Sequence, residues 1–204
     1  SVELQGAGSA RVILPLANDT PVAAGTDAAG RNEDVENIRA ASNVALSREV
    51  INPCCLSAAI APHLAAAEEG VTIDFAPILA ACASAIQQAD LLIVEGVGGF
   101  RVPLGVDRDS ADLAVALGLP VILVVGLRLG CLNHALLTAE AIAARGLTLA
   151  GWVANRIDPD MLRAEDNIAA LRERLGAPLL GSVPRIAGSD PAAAASFLDL
   201  PPAI

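Results

Sequence analysis

Four runs of residues, each too apolar to lie with one face in water, limit what this chain can fold into. They are Leu91-Leu92-Ile93-Val94, Pro120-Val121-Ile122-Leu123-Val124-Val125-Gly126, Leu147 to Val153 and Leu179 to Val183. Helix-like stretches separate them: Ile73 to Gln88, Asp109 to Leu117, Asn133 to Arg145 and Pro159 to Leu175. Asn133 is placed to cap the third. The fourth carries Arg163, Glu165, Asp166, Arg172, Glu173 and Arg174 on one polar side. Strand–helix units about thirty residues long predict right-handed βαβ crossovers. The expected fold class is α/β, a three-layer arrangement in which a mostly parallel sheet carries helices on both faces. Residues 25–50 are more polar and read as a loop-plus-helix excursion over the ligand edge. Ala187 to Ile204 is Ala- and Pro-rich and weakly patterned.

The first run continues into Glu95-Gly96-Val97-Gly98-Gly99. A carboxylate at the carboxyl end of a buried parallel strand sits where open α/β sheets bind ligands. Glycines there let the backbone approach a ligand with no Cβ in the way. In nucleotide-hydrolysing folds such a carboxylate holds magnesium. Read by itself, the stretch is equally a strand followed by an ordinary glycine turn.

Composition removes several alternatives. A chain of 204 residues suits one domain. The net charge is −10, and all 13 basic residues are arginines. Nucleic-acid phosphates need a positive footprint, which this balance lacks. Aromatic residues make up 2% and tyrosine is absent, leaving few platforms for base stacking. Cys54, Cys55, Cys82 and Cys131 form no Cys-x-x-Cys pattern and read as small buried hydrophobes in a reducing compartment. No apolar run approaches the roughly 18 residues of a membrane span, and no secretory leader is recognisable. The expected location is the cytoplasm. The chain begins at Ser1, so the reading allows for a missing upstream segment.

Ordered blocks then carry a resemblance. They are Pro21-Val22-Ala23-Ala24-Gly25, Arg31-Asn32-Glu33-Asp34, Val50-Ile51-Asn52-Pro53, Ala61-Pro62-His63 and Val94 to Gly99. The long run Pro120 to Ala139, then Leu149 to Asn155, then Pro178 to Gly181 complete the set. Together they resemble the ATP-dependent dethiobiotin synthetase family, in its order, over roughly residues 20 to 186. The resemblance implies a P-loop NTPase-like fold and a biotin-pathway ligase. Such enzymes take 7,8-diaminononanoate, CO2 and ATP. One amine captures CO2 as a carbamate, ATP phosphorylates it, and the second amine displaces phosphate to close a cyclic urea.

The same resemblance implies roles by position. Asp34 and Glu95 match the carboxylates that bind Mg2+. Gly96, Val97, Gly98 and Gly99 match the loop along ATP and the substrate. Asn155 matches the reader of the adenine edge, and Pro184 the loop closing over the base. Gly130, Cys131 and Asn133 match a helix start that receives the substrate carboxylate, in this family from the other subunit of a homodimer. Physics supports that last role separately, because helix N-termini attract anions. Asn167 matches a further substrate contact across the dimer, and Ala24 stands where some members carry a hydroxyl. Each has a plainer alternative: Asn155 ends a strand, Asn133 caps a helix, and Asp34 is a solvated charge. His63 and His134 read as packing or capping residues.

The family's amino-terminal Gly-x-x-x-x-x-Gly-Lys-Thr loop has no counterpart. Gly6-Ala7-Gly8-Ser9 lacks the Lys-Thr, and Thr20 stands where a lysine precedes the Pro-Val-Ala block. Either Arg11 to Leu16 is the first strand, with Asn18-Asp19-Thr20 a remnant of the loop, or these residues replace the second strand. Pro15 weakens both readings. An incomplete or altered amino terminus, no assignable catalytic lysine, and weak or absent ATP turnover are therefore expected. Two rivals remain: a catalytically silent relative that binds a nucleotide or a partner, and an amidating ligase of the cobyrinic acid type. The latter needs an amidotransferase domain for which the chain has no room.

Overall fold

The computed structural model describes residues 12–13, 21–42, 44–89, 91–186 and 191–199. It divides into two compact units that meet in sequence between Leu117 and Gly118.

The first unit holds two parallel strand pairs. Strand β1 (Val12–Ile13) runs beside a later strand, Leu91–Leu92, with Val12 opposite Leu91. Strand β2 (Val22–Ala24) pairs with β3 (Cys54–Leu56), with Val22 opposite Cys54 and Ala24 opposite Leu56. Between β2 and β3 lie α1 (Glu33–Ala41) and the short α2 (Arg48–Ile51), which is the polar excursion expected for residues 25–50. Helix α3 (Pro62–Glu69) follows, then α4 (Phe75–Ile86), β4 (Leu91–Leu92) and α5 (Ser110–Leu117). Asp74 caps α4 by accepting from Ala76 N at 3.1 Å, so the helix begins two residues after the expected Ile73. One apolar cluster joins Ala23, Val35, Ile38, Leu46, Ile51 and Ala85. A second joins Val22, Leu56, Ala65, Ile73, Phe75, Ile78, Val97, Leu104 and Leu113.

The second unit is a three-stranded parallel sheet in the order β5 (Val121–Gly126), β6 (Leu149–Asn155), β7 (Leu179–Val183). Helix α6 (Cys131–Ala144) connects β5 to β6, α7 (Ala164–Arg174) connects β6 to β7, and α8 (Pro191–Ala195) follows. Trp152, Ala154, Leu127, Cys131, Ile168 and Leu171 form its core, and Trp152 is fully buried.

The α/β class with parallel strands stands, its pairing running through three separate sheets among the described residues. The details correct four expectations. The Leu91–Val94 run is a strand only at Leu91–Leu92 and is half-buried. In β5, an edge strand among the described residues, Val124 is 59% exposed. Helix α6 starts at Cys131, and its N-cap is Gly130 at φ 94°, which places Asn133 inside the first turn. A positive φ at that entry suits glycine, and a side-chain cap is missing there. Helix α7 starts at Ala164, five residues later than expected. Residues 158–161 are spent in a turn in which the Asp158 carboxylate accepts from Asp160 N at 3.0 Å. Arg11, Leu14 to Leu16, Asn18 to Thr20 and Gly6 to Ser9 lie outside the described residues, so neither reading of that stretch is decided.

Candidate active site

In the first unit the segments that follow β2 and β4 carry the expected carboxylates. Pairing of β2 with β3 continues past the strand ends, where Gly25 N donates to Leu56 O (2.9 Å) and Thr26 N to Ser57 O (3.1 Å). The chain then turns about Asp27, whose carboxylate accepts from Ala29 N (2.8 Å) and Arg31 N (2.9 Å). The Arg31 backbone N–H is the main reason this carboxyl is held below its ordinary range. Asn32 is buried and faces both ways. Its amide nitrogen donates to Gly25 O at 2.8 Å, and its amide oxygen accepts from Val35 N at 3.1 Å. One side chain therefore caps α1 and fastens it to the carboxyl end of β2.

That anchor sets Asp34 in the first turn of α1, half-buried, beside Glu33 and Glu36. The helix dipole favours negative charge there. Ala24, half-buried, closes β2 just before the anchor.

Glu95 follows β4 and is half-buried, whereas Gly96, Gly98 and Gly99 are exposed. Val97 between them is buried among Val22, Leu56 and Phe75, so only its backbone is available to a ligand. Gly99 N donates to Val97 O at 2.8 Å around Gly98, whose φ is 70°. That three-residue turn requires a left-handed centre, which glycine supplies. Asp34 and Glu95 offer hard carboxylate oxygens, the donor type Mg2+ takes, with further ligands from water and phosphate. Among the described residues, no three His, Cys, Asp or Glu side chains gather as a metal-binding group.

In the second unit, Asn155 ends β6, in register with Gly126 on one side and Val183 on the other. Its carbonyl accepts from Leu127 N at 2.7 Å, and Pro184 follows β7 directly. Arg156 braces this end of the sheet: its Nε donates to Ser182 Oγ at 3.2 Å, and its guanidinium pairs with Glu165 on α7.

At the start of α6, Gly130 and Asn133 are exposed and Cys131 is buried. The Cys131 thiol lies 4.0 Å from Asn167 Oδ1, while the Asn167 amide nitrogen donates to Arg163 O at 2.9 Å. The structure thus brings together two residues, 36 apart in sequence, that were both expected to contact substrate.

A family model described as an AAA domain matches residues 20–193. Over 184 residues the chain is 65% identical to the ATP-dependent dethiobiotin synthetase BioD of Aromatoleum aromaticum, covering 89% of this chain and 82% of that protein. The chain belongs to the dethiobiotin synthetase family. The ordered blocks that carried the resemblance fall within the residues that the family model matches.

Two residues that hold the segments carrying these candidates were not singled out from sequence. Asn32 was quoted only as part of a block, although an Asn directly before an acidic helical turn is an N-cap signal. Ser110 opens α5 and was passed over entirely. A signal did exist at its neighbours, since Asp109 and Asp112 cap each other's backbone N–H groups at 2.8 and 3.1 Å.

Proposed function

We propose that this chain is an ATP-dependent dethiobiotin synthetase, closing the cyclic urea of dethiobiotin from 7,8-diaminononanoate, CO2 and ATP. The observation that carries this reading is 65% identity across 89% of the chain to a protein of that name. The first amine adds to CO2, forming the N–C bond of a carbamate and releasing a proton. The carbamate oxygen takes the γ-phosphoryl group of ATP, leaving ADP. The second amine then attacks the carbamoyl carbon, and phosphate departs with the C–O electron pair.

This chain's residues have defined tasks in that sequence. Asp34 and Glu95 would hold Mg2+, which when bound would offset phosphate charge. Gly96 to Gly99 line the phosphates and substrate with backbone, and Asn155 with Pro184 selects and covers the adenine. Gly130, Cys131 and Asn133 receive the substrate carboxylate at the start of α6, and Asn167 adds a contact. By this reading the protein is a cytoplasmic homodimer in which that helix start serves the partner protomer's substrate. It acts on neither nucleic acid nor membranes, and the described helices include none long and apolar enough to cross one.

The 204 residues contain no lysine. By this reading no lysine of these residues meets the phosphate charge, and slow turnover is the expected signature. The test is incubation with the diamine, carbon-labelled bicarbonate and Mg–ATP, followed by mass spectrometry. Label in the urea carbonyl, with one ADP per dethiobiotin, supports the proposal. Absence of product together with no detectable diamine binding refutes it. Diamine binding without product would favour the silent-relative reading instead.

A further inference from the structure

We propose that Ser110 is a positioning residue for this reaction, and that its hydroxyl sets the conformation in which the glycine loop meets its ligand. The inference rests on the reading that Gly96 to Gly99 line the nucleotide and substrate. Ser110 is 8% exposed and opens α5, which follows the glycine loop. Its Oγ lies 2.8 Å from Phe100 O and 3.0 Å from Gly99 O, and it accepts from Val102 N at 2.9 Å. Ser110 N donates in turn to Val102 O at 2.9 Å. One proton is shared between two successive carbonyls while the lone pairs receive the N–H just beyond them. A hydroxyl meets this need because it is both donor and acceptor on one atom.

The consequence for the loop follows from peptide geometry. In a trans peptide the C=O and the next N–H point in opposite directions. Carbonyls of Gly99 and Phe100 drawn to Ser110 therefore turn the N–H groups of Phe100 and Arg101 away from it. Two consecutive backbone donors are oriented together, directly after the flexible Gly98-Gly99 pair. Left to themselves, the glycines have more backbone freedom to lose than any other residue type. The segment between is fastened independently of ligand: Pro103 bridges to Asp109, Leu104 N donates to Arg108 O (2.9 Å), and Arg101 pairs with Asp109. Ser110 is the point where that clasp grips the loop's own carbonyls.

Ser110→Ala removes the grip and leaves the clasp. Hydrogen exchange should accelerate at Val102 and across residues 98–101, and Mg–ATP affinity by calorimetry should fall about tenfold, the scale of one lost hydrogen bond. Ser110→Thr should restore both. Should Ser110→Ala fail to fold, Ser110→Cys, a weak donor of similar shape, is read in the same way. A lowered melting temperature with unchanged ligand affinity would mark Ser110 as merely structural and overturn the proposal. Unchanged exchange at Val102 would overturn it as well. A wild-type chain that binds neither Mg–ATP nor the diamine would instead refute the functional reading, and with it the ligand role of Ser110; the exchange measurement would then decide only its grip on the loop.

Discussion

The Asn32 amide donates to the carbonyl of Gly25 at 2.8 Å, joining the start of α1 to the end of β2. The same side chain accepts from Val35 N, so removing it opens a helix end and frees a strand end together. Asn32→Ala is expected to cost about 1–2 kcal/mol, the usual price of a lost N-cap with a second bond added. Because Asp34 rides on that turn, the Mg2+ concentration needed for ATP binding should rise in the same variant. Asn32→Asp keeps the cap and loses the donor, so it should recover most of the stability and little of the Mg2+ response. Thermal melts and Mg2+ titrations separate the two effects.

Cys54 gives the chain an alkaline weakness. Burial pushes its thiol up to about 11, with Cys55 and Glu69 adding to the shift, against an ordinary value of 9.0. Between those values the folded chain binds more protons than the unfolded one, so stability falls as pH rises through the window. Burial raises the Cys82 thiol in the same direction. Denaturant melts across the window should show the decline, and Cys54→Ser should flatten it. Near neutral pH a thiol reagent should modify exposed Cys55 first, as peptide mapping would show.

Trp152 is the only tryptophan and is fully buried in β6. Its emission should be blue-shifted in the folded state and move red as the second unit unfolds. Trp152→Ala should cost about 3–5 kcal/mol. Trp152→Phe should cost less, because the phenyl ring refills much of the cavity and the indole N–H it gives up is buried without a partner. Denaturant titrations of both variants check the ranking.

The sequence announced β7 residue for residue, and placed α4, α5 and β6 to within a few positions, because apolar runs and caps are local properties. It overextended β4, since the extent of a strand is set by pairing with a partner, here Val12–Ile13, which lies some 80 residues away in sequence. It misplaced the start of α6 because Asn133 advertises a cap, whereas Gly130 does the work through a positive φ that residue type alone does not announce. Asp34, Glu95 and Asn155 were singled out through the ordered family blocks, and the structure sets them in the first turn of α1, after β4 and at the end of β6. Asn32 and Ser110 were not recognised, because their partners lie 7 and 10–11 residues away and become neighbours only through the fold.

Asn155 should govern nucleotide choice more than nucleotide chemistry. Asn155→Ala is expected to lose about 1–2 kcal/mol of preference for adenine, roughly five- to thirtyfold. Competition of GTP and CTP against ATP reads this directly. Equal discrimination in wild type and variant would remove Asn155 from the base site.

The most direct test of the account is calorimetric titration of ATP into the protein, with and without Mg2+, in the wild type and in the Asp34→Asn, Glu95→Gln double variant. The account predicts at least about tenfold tighter ATP binding with Mg2+ in the wild type, with that gain lost in the variant. ATP affinity indifferent to Mg2+, or a double variant that keeps the full gain, would contradict it.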